Sequence, residues 1–299
     1  MADRVVVVGV TRGNSKVSPF EIAQMIGRSG RTQGGRPCRA DIIVDSEDDI
    51  DMLTRPNAFK VCSQLTEDEV IAFHLLPEIC LQLVTSIAGA EKWYSRSLGA
   101  AQECKPKFYR IFVYLEFLEA IRMQDMLWIA TDLGKLASEY YFHPALVSNW
   151  QHNFSEIFRM GLEGDDLAIA WALGGVPVSI SGDFGNHRFV LDECKSAMPR
   201  MLHIGTDHLI STTLWWSALG GPPVGKMRGQ MLQLRFDFDR ICSLLIGLDH
   251  IQNWGKQNFF RDLATRIRRG IPAHLQELCQ QGLSKSRAEL AYNGEVDNS

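Results

Sequence analysis

Two short β-branched runs flank a helix whose start is marked in the sequence. The runs cover residues 4–10 (RVVVVGV) and 40–44 (ADIIV). Between them, Ser18 precedes Pro19 and stands three residues before Glu21, which predicts an N-terminal capping box with proline at the first helical position. Continuous apolar runs on either side of a helix are typical of buried parallel strands. The order predicts a βαβ unit, and parallel pairing implies a larger sheet.

The predicted helix ends in the pattern Q-x-x-G-R-x-G-R, near residue 30. Its members are Gln24, Gly27, Arg28, Gly30 and Arg31. Arg28 and Arg31 are three residues apart and share one helix face. Two guanidiniums side by side, with glycines that let another backbone come close, suit a triphosphate. The alternative is an exposed basic helix end beside a Gly-rich turn.

Composition limits the classes of function. The 299 residues are long enough for two or three small domains, and 45% hydrophobic with 22% charged residues is an ordinary globular profile. With a net charge of −4, a nucleic-acid site must be a local patch. The cysteines show no C-x-x-C spacing, which favours reduced, intracellular thiols over a zinc site. No apolar run suits a signal peptide or a membrane span, so we expect no membrane partner and a cytoplasmic, nucleoid-associated or, in a eukaryote, nuclear location.

Two segments imitate parts of an ATP site. Residues 220–227 (GGPPVGKM) match G-x-x-x-x-G-K, but Met227 stands where a magnesium-binding hydroxyl is needed, and Pro222 and Pro223 remove amides that phosphates need. Residues 189–193 (FVLDE) resemble a Walker B strand but precede the first segment, which is the wrong order. We therefore expect neither segment to bind ATP.

The middle of the chain is predicted to be helical and then mixed. Residues 46–51 (SEDDID) suggest an acidic surface turn that leads to a domain boundary near Pro56. A helix is expected from Thr66, and another over residues 108–121. After them comes T-x-L-G-x-x-A-x-x-Y-Y, formed by Thr131, Leu133, Gly134, Ala137, Tyr140 and Tyr141.

The C-terminal part is helix-rich and locally basic. Residues 226–269 contain nine basic and four acidic residues, an excess of five positive charges in a negatively charged protein. A long helix is expected over 236–254, and a shorter, basic helix over 259–269. Arg240, Arg266 and Arg269 are candidate phosphate contacts, and Trp254 is a candidate base-stacking platform. Alternatively, this is a solvated helix pair with core aromatic residues.

Taken together, these motifs resemble the C-terminal half of superkiller-like superfamily 2 DNA helicases, the group of the archaeal fork-repair helicases and the polymerase theta helicase domain. The Gln24–Arg31 pattern resembles motif VI, whose arginines reach the γ-phosphate of ATP held by another domain. The chain begins just after the position of motif V, so Walker A, Walker B and motif V are expected to be absent. The resemblance implies a mainly α chain with a small α/β N-terminal piece. Its four regions are a partial second RecA-like domain (1–56), a winged helix (57–143), a helical ratchet domain (144–272) and a helix-hairpin-helix-like stub (273–299).

The chain departs from this family at two places. Leu244 and Leu245 stand mid-way along the segment that corresponds to the family's ratchet helix, where an aromatic residue is expected. The tail turn lacks the second glycine of a helix-hairpin-helix motif, although Lys285 and Arg287 can still contact a DNA backbone.

The resemblance implies a DNA-engaging half of a split or truncated ATP-dependent helicase, of the kind that works in DNA repair. Its partners would be single-stranded or forked DNA and an N-terminal half with Walker A and DExH motifs. ATP and Mg²⁺ would act only through that half, with Arg28 and Arg31 as catalytic residues supplied in trans and Gln24, Gly27 and Gly30 beside the nucleotide. The chain alone is expected to show no ATPase activity. The alternatives are a non-enzymatic nucleic-acid or protein adaptor derived from such a helicase, and a gene-model fragment.

Overall fold

A computed structural model describes residues 4–12, 15–27, 39–54, 62–174, 184–200, 202 and 205–294. The protein is mainly helical with a small N-terminal sheet, which confirms the predicted fold class at that level. It divides into two compact units, Met1–Leu65 with Ser97–Cys104, and Thr66–Arg96 with Lys105–Ser299. The boundary predicted at residue 143 lies inside the second unit.

The elements follow one another in a simple order. The strands are β1 (Arg4–Val8), β2 (Thr11–Arg12), β3 (Ser15–Lys16), β4 (Arg39–Ile43), β5 (Ile121–Gln124) and β6 (Leu127–Ala130). The helices are α1 (Pro19–Ile26), α2 (Glu47–Thr54), α3 (Asp68–Cys80), α4 (Ile87–Tyr94), α5 (Leu98–Ala101), α6 (Phe108–Phe117), α7 (Asp132–Glu139), α8 (Pro144–Arg159), α9 (Asp166–Gly174), α10 (Phe189–Ala197), α11 (Thr206–Ala218), α12 (Arg228–Gln252), α13 (Gln257–Arg269), α14 (Gln276–Gln280) and α15 (Lys285–Tyr292).

The N-terminal unit contains the predicted βαβ arrangement. Strands β1 and β4 pair in parallel, with Arg4 opposite Arg39 and Val8 opposite Ile43. Helix α1 begins with the predicted capping box, because the Glu21 amide donates to Ser18 Oγ and the Ser18 amide donates to the Glu21 carboxylate, each at 3.2 Å. Both predictions from the sequence are confirmed.

Strand β1 is less buried than its apolar sequence suggests. Val10, Val17 and Ile22 form the small core of this unit. Val6 and Val8 are exposed, Val8 to 75%. The prediction of a buried strand is therefore wrong for β1 in the described part of the chain, where it pairs only with β4.

The acidic run at residues 46–51 is helical rather than a surface turn. Helix α2 begins at Glu47, and Asp49 within it is buried. The Asp49 carboxylate lies 2.8 Å from Lys16 Nζ and accepts a hydrogen bond of 2.8 Å from Ser46 Oγ. The acidic composition of this run predicts a solvent-exposed turn. In the structure, the ion pair with Lys16 on β3 accompanies the burial of Asp49.

In the second unit, four helices pack beside a two-stranded hairpin. Helix α3 packs against α6 and α7, and α4 packs against α6. Strands β5 and β6 form the antiparallel hairpin. The Trp128 amide on β6 donates to the Thr85 carbonyl at 2.9 Å, which brings the segment between α3 and α4 alongside the hairpin.

The T-x-L-G-x-x-A signature has a local structural explanation at the start of α7. Thr131 caps the helix, since its Oγ1 accepts from the Gly134 amide at 3.1 Å. Leu133 and Ala137 are buried. A Cβ at Gly134 would overlap the carbonyl oxygen of Ala120, so α7 can approach the β5 end of the hairpin only with glycine there.

Helices α8 to α13 pack against one another in the second unit. Helix α9 is buried along its length and packs against α8 and α11. Gly174 lies so close to Thr212 that an added Cβ would be 2.7 Å from the Thr212 amide nitrogen. Helix α13 folds back along α12, and the Cys242 thiol on α12 lies 3.2 Å from the Phe260 carbonyl on α13. Throughout the described residues, no helix is both long enough and apolar enough to cross a membrane.

Candidate nucleic-acid interface

The motif VI-like pattern begins in the described part of the N-terminal unit. Helix α1 ends at Ile26, and Gly27 caps it by donating from its amide to the Ala23 carbonyl at 2.8 Å. Gln24 and Gly27 are exposed. Arg28, Gly30 and Arg31 lie outside the described residues, so their assignment to a nucleotide site stays a prediction.

The longest helix of the second unit carries an exposed stripe. Helix α12 has 25 residues, roughly 37 Å at 1.5 Å per residue. Arg228, Leu232, Phe236 and Arg240 follow one another at four-residue intervals, and all four are exposed. We call these four residues the α12 stripe. Its order is cation, apolar side chain, aromatic ring, cation, over roughly 18 Å of helix.

Arg240, at one end of the α12 stripe, is held in place by α7 and the residues that follow it. Its guanidinium carbon lies 4.2 Å from the centroid of the Phe142 ring, and Nη1 donates to the Tyr140 carbonyl at 3.4 Å. Stacking over an aromatic face restricts the orientation of a guanidinium without neutralising its charge. Arg240 is therefore both exposed and oriented, as the predicted phosphate contact requires.

The basic residues of α13 divide into exposed and buried ones. Arg261, Arg268 and Arg269 are exposed. Arg268 donates to the Asp239 carboxylate on α12 at 2.6 Å, and both side chains are well exposed. Arg269 is exposed, which is compatible with its predicted contact with DNA.

Arg266 occupies a different environment from its neighbours. It is 5% exposed, and its guanidinium donates to the Asp166 carboxylate at the start of α9 and to the Ile271 carbonyl at 3.2 Å. The assignment of Arg266 to a phosphate contact stays a prediction, and this buried ion pair counts against it.

Trp254 belongs to an aromatic cluster rather than standing free. Its ring centroid lies 5.4 Å from that of Phe158 and 6.2 Å from that of Phe260, and its indole N–H donates to Ser155 Oγ at 3.1 Å. The ring is half-buried. These contacts favour the core alternative, while base stacking by Trp254 stays a prediction.

The remaining predicted contacts lie on α15. Arg287 is exposed, and Lys285 is half-buried at the start of the helix. Lys285 Nζ lies 3.8 Å from the Glu289 carboxylate one turn later. Their assignment to a DNA backbone stays a prediction, and both carry an accessible charge.

The two ATP-site imitations have other structures. FVLDE lies in helix α10 and not in a strand. Residues Gly225–Met227 form a short 3-10 turn that leads into α12, and Met227 is buried. Neither segment has the strand–loop–helix geometry that cradles phosphates in a P-loop.

Sequence reasoning missed Phe236 and Leu232 as surface residues. Apolar side chains in a long amphipathic helix are normally assigned to the core, so exposure of a phenylalanine was not expected. The signal that could have found them is their four-residue spacing between Arg228 and Arg240. A stripe with one cation at each end does not suit a core face.

Among the described residues, no group of three or more histidine, cysteine or acidic side chains could hold a metal ion. The candidate interface is drawn from the cations of α12, α13 and α15 and from the exposed ring of Phe236. Compared with models of known protein families and with curated proteins, the chain gives no match.

Proposed function

We infer that this chain is the DNA-engaging part of a superkiller-like superfamily 2 helicase. In this proposal the second unit holds a single strand along α12 and α13. The N-terminal unit offers Arg28 and Arg31 to ATP held by a separate domain. The resemblance of the sequence motifs and the charge of one helix face both support this.

The α12 stripe is the observation that carries the proposal. Arg228 and Arg240 supply charges for phosphates, and Phe236 supplies an exposed ring on which a base can stack. The distance between the two arginines, roughly 18 Å, corresponds to about five phosphate spacings of a stacked strand at ~3.4 Å each. No group on the stripe suggests base-specific hydrogen bonding, so we expect binding without sequence preference.

The order of elements before α12 supports the assignment of the middle region. A helix, an extended segment bonded to a hairpin, further helices and the hairpin itself follow one another from α3 to β6. This order suits a winged helix. The capped helix α7, with the T-x-L-G signature at its start, then leads into the bundle that we assign to the ratchet domain.

Salt dependence of DNA binding tests the proposal. Labelled oligo(dT) should bind, and if about four phosphates are neutralised, log K against log[salt] should have a slope of roughly −3. Arg240→Gln should weaken binding and flatten the slope by about 0.7. Lys195→Gln, which removes an exposed cation on α10, is the matched control and should change neither. A folded chain without measurable binding at low salt would contradict the proposal.

The catalytic part of the proposal depends on Arg28 and Arg31. When the chain is mixed with an ATP-binding helicase half, DNA-stimulated hydrolysis should appear. Arg28→Ala or Arg31→Ala should lower the rate on the order of 10³-fold, the usual effect of removing an arginine finger. A hydrolysis rate that neither substitution changes would contradict a catalytic role for the Gln24–Arg31 pattern.

A protein adaptor is the second candidate function. One observation favours it: Tyr109, Val113 and Phe117 are exposed at four-residue intervals along α6. An apolar stripe of this kind suits contact with another protein surface. Failure to bind DNA, together with loss of a protein contact on Phe117→Ala, would favour this candidate.

A further inference from the structure

A cationic pocket lies between the loop before α12 and the start of α15. It has a volume of about 440 Å³. The loop glycines and prolines of residues 220–225 form one wall, and His187, Arg228, Arg235 and Lys285 supply the basic groups. None of the residues that line it is acidic. Any ligand would therefore meet positive charge from several directions without an internal counter-charge.

Arg235 is fixed in position inside this pocket. Its guanidinium is half-buried and donates to the Ala218 carbonyl from Nε at 3.1 Å and from Nη2 at 2.9 Å. A Cβ at Gly270, where φ is +64°, would overlap the guanidinium, so the group lies directly against that backbone. The arginine is thus held by carbonyl groups at the C-terminal end of α11, where the helix dipole favours a cation, and no carboxylate neutralises it among the residues that line the pocket.

Arg228 and Arg235 reinforce each other's positive potential. They are seven residues apart, two turns along the same face of α12. Burial, and then the charge of Arg228, lower the pKa of Arg235. Among the described residues, no carboxylate forms an ion pair with either guanidinium. A bound anion would relieve this repulsion.

Lys285 completes the basic lining from a different helix. Its only ion pair among the described residues is the long contact of 3.8 Å with Glu289, which does not line the pocket. Three permanent cations and one histidine match a doubly charged anion better than a singly charged phosphodiester. Arg228 belongs both to this pocket and to the α12 stripe, so a strand on the stripe could place its end here.

We propose that this pocket binds a phosphate monoester, either the terminal phosphate of an oligonucleotide or that of a free nucleotide. The site is separate from the bases that a strand would stack along α12. It recognises the charge and shape of the phosphate group.

The test compares oligo(dT) strands with a 5′-phosphate, a 3′-phosphate or only hydroxyl ends, together with dTMP and inorganic phosphate. Either the 5′-phosphorylated or the 3′-phosphorylated strand should bind about tenfold more tightly than the hydroxyl-ended strand. An affinity difference of this size corresponds to one or two charge-assisted hydrogen bonds. Lys285→Gln should abolish this preference. Lys195→Gln is the matched control, because it removes an exposed cation of α10 that does not line the pocket.

The outcomes separate this proposal from the helicase proposal. Thermal stabilisation by dTMP or phosphate that is lost in Lys285→Gln, without any binding of DNA, would support the pocket and contradict the proposed function. Preference for dTMP without an end preference would identify a free nucleotide as the ligand. Equal binding of all three strands, with no effect of dTMP or phosphate, would overturn the pocket and leave DNA engagement standing.

Discussion

The guanidinium of Arg266 on α13 donates to the carboxylate of Asp166 on α9, 100 positions earlier in the chain. Their side chains are 6% and 15% exposed. The other oxygen of Asp166 accepts from the Ala273 amide at 2.7 Å. One carboxylate therefore ties together the start of α9, the end of α13 and the segment that follows.

Removing this carboxylate should strongly destabilise the second unit. Asp166→Ala leaves the buried Arg266 guanidinium without its carboxylate partner and the Ala273 amide without its acceptor, and we expect a loss of about 3–5 kcal/mol in the free energy of unfolding. Urea denaturation measures it. Asp239→Ala is the control, because it removes a pair of similar geometry that is exposed to water and should cost about 1 kcal/mol or less. Equal losses would contradict the structural role of Asp166.

The close approach at the start of α7 gives a second prediction. Gly134→Ala should destabilise the protein by more than about 2 kcal/mol, because its methyl group would collide with the backbone of Ala120 and overpacking forces a shift. Gly229→Ala is the matched control. Nothing lies within 4 Å of its Cβ, and alanine favours helix, so stability should be unchanged or slightly higher. Thermal denaturation of both variants checks this, and a harmless Gly134→Ala would show that α7 does not pack so closely.

The N-terminal sheet should be the least protected part of the described chain. Val6, Val8 and Ile43 are exposed on strands β1 and β4, so little apolar burial stabilises them. Amide hydrogen exchange should be much faster in these strands than in α3 or α12. Val8→Lys should reduce concentration-dependent association, since a charge on an exposed strand opposes pairing between chains. Equal protection of strands and helices in a monomer would contradict this.

Alkaline pH should weaken the packing of α12 against α13. Burial, and then the charge of Asp239, raise the pKa of the Cys242 thiol from 9.0 to about 11. Between these values the unfolded chain releases a proton that the folded chain retains. The stability contributed by the neutral thiol is complete below pH 9 and falls as pH rises toward 11.

Substitution at Cys242 tests this dependence. Cys242→Ala should flatten the decline in unfolding free energy between pH 9 and 11, whatever its effect at neutral pH. Cys62→Ala, at an exposed cysteine, should leave the decline unchanged. Two identical pH profiles for Cys242→Ala and the unaltered chain would contradict the assignment.

Local signals in the sequence predicted local structure well. The cap of α1 depends on Ser18 and Glu21, three residues apart, and the parallel pairing of β1 with β4 follows from two apolar runs around that helix. The cap involves neighbouring residues only, and the parallel pairing follows from the helix that connects the two runs. The periodicity of apolar residues likewise placed helices α3, α6, α12 and α13 of the second unit.

Features that depend on distant partners could not be predicted in this way. Nothing near Arg266 in sequence indicates Asp166, and nothing near Asp49 indicates Lys16, yet these pairings decide that both residues are buried. The environments of Trp254 and Phe236 likewise depend on distant parts of the chain. Trp254 packs against Phe158 on α8, whereas Phe236 on α12 is left exposed.

Single-strand binding by two matched variants tests the central claim most directly. Phe236 on α12 and Phe117 on α6 are both 81% exposed, so replacing either with alanine disturbs little packing. Phe236→Ala should weaken oligo(dT) binding by about 1–3 kcal/mol at unchanged salt slope, because a stacked ring is lost but no charge is. Phe117→Ala should bind as the unaltered chain does. Equal affinities for Phe236→Ala and the unaltered chain, measured by fluorescence anisotropy, would contradict the claim that α12 holds a nucleic-acid strand.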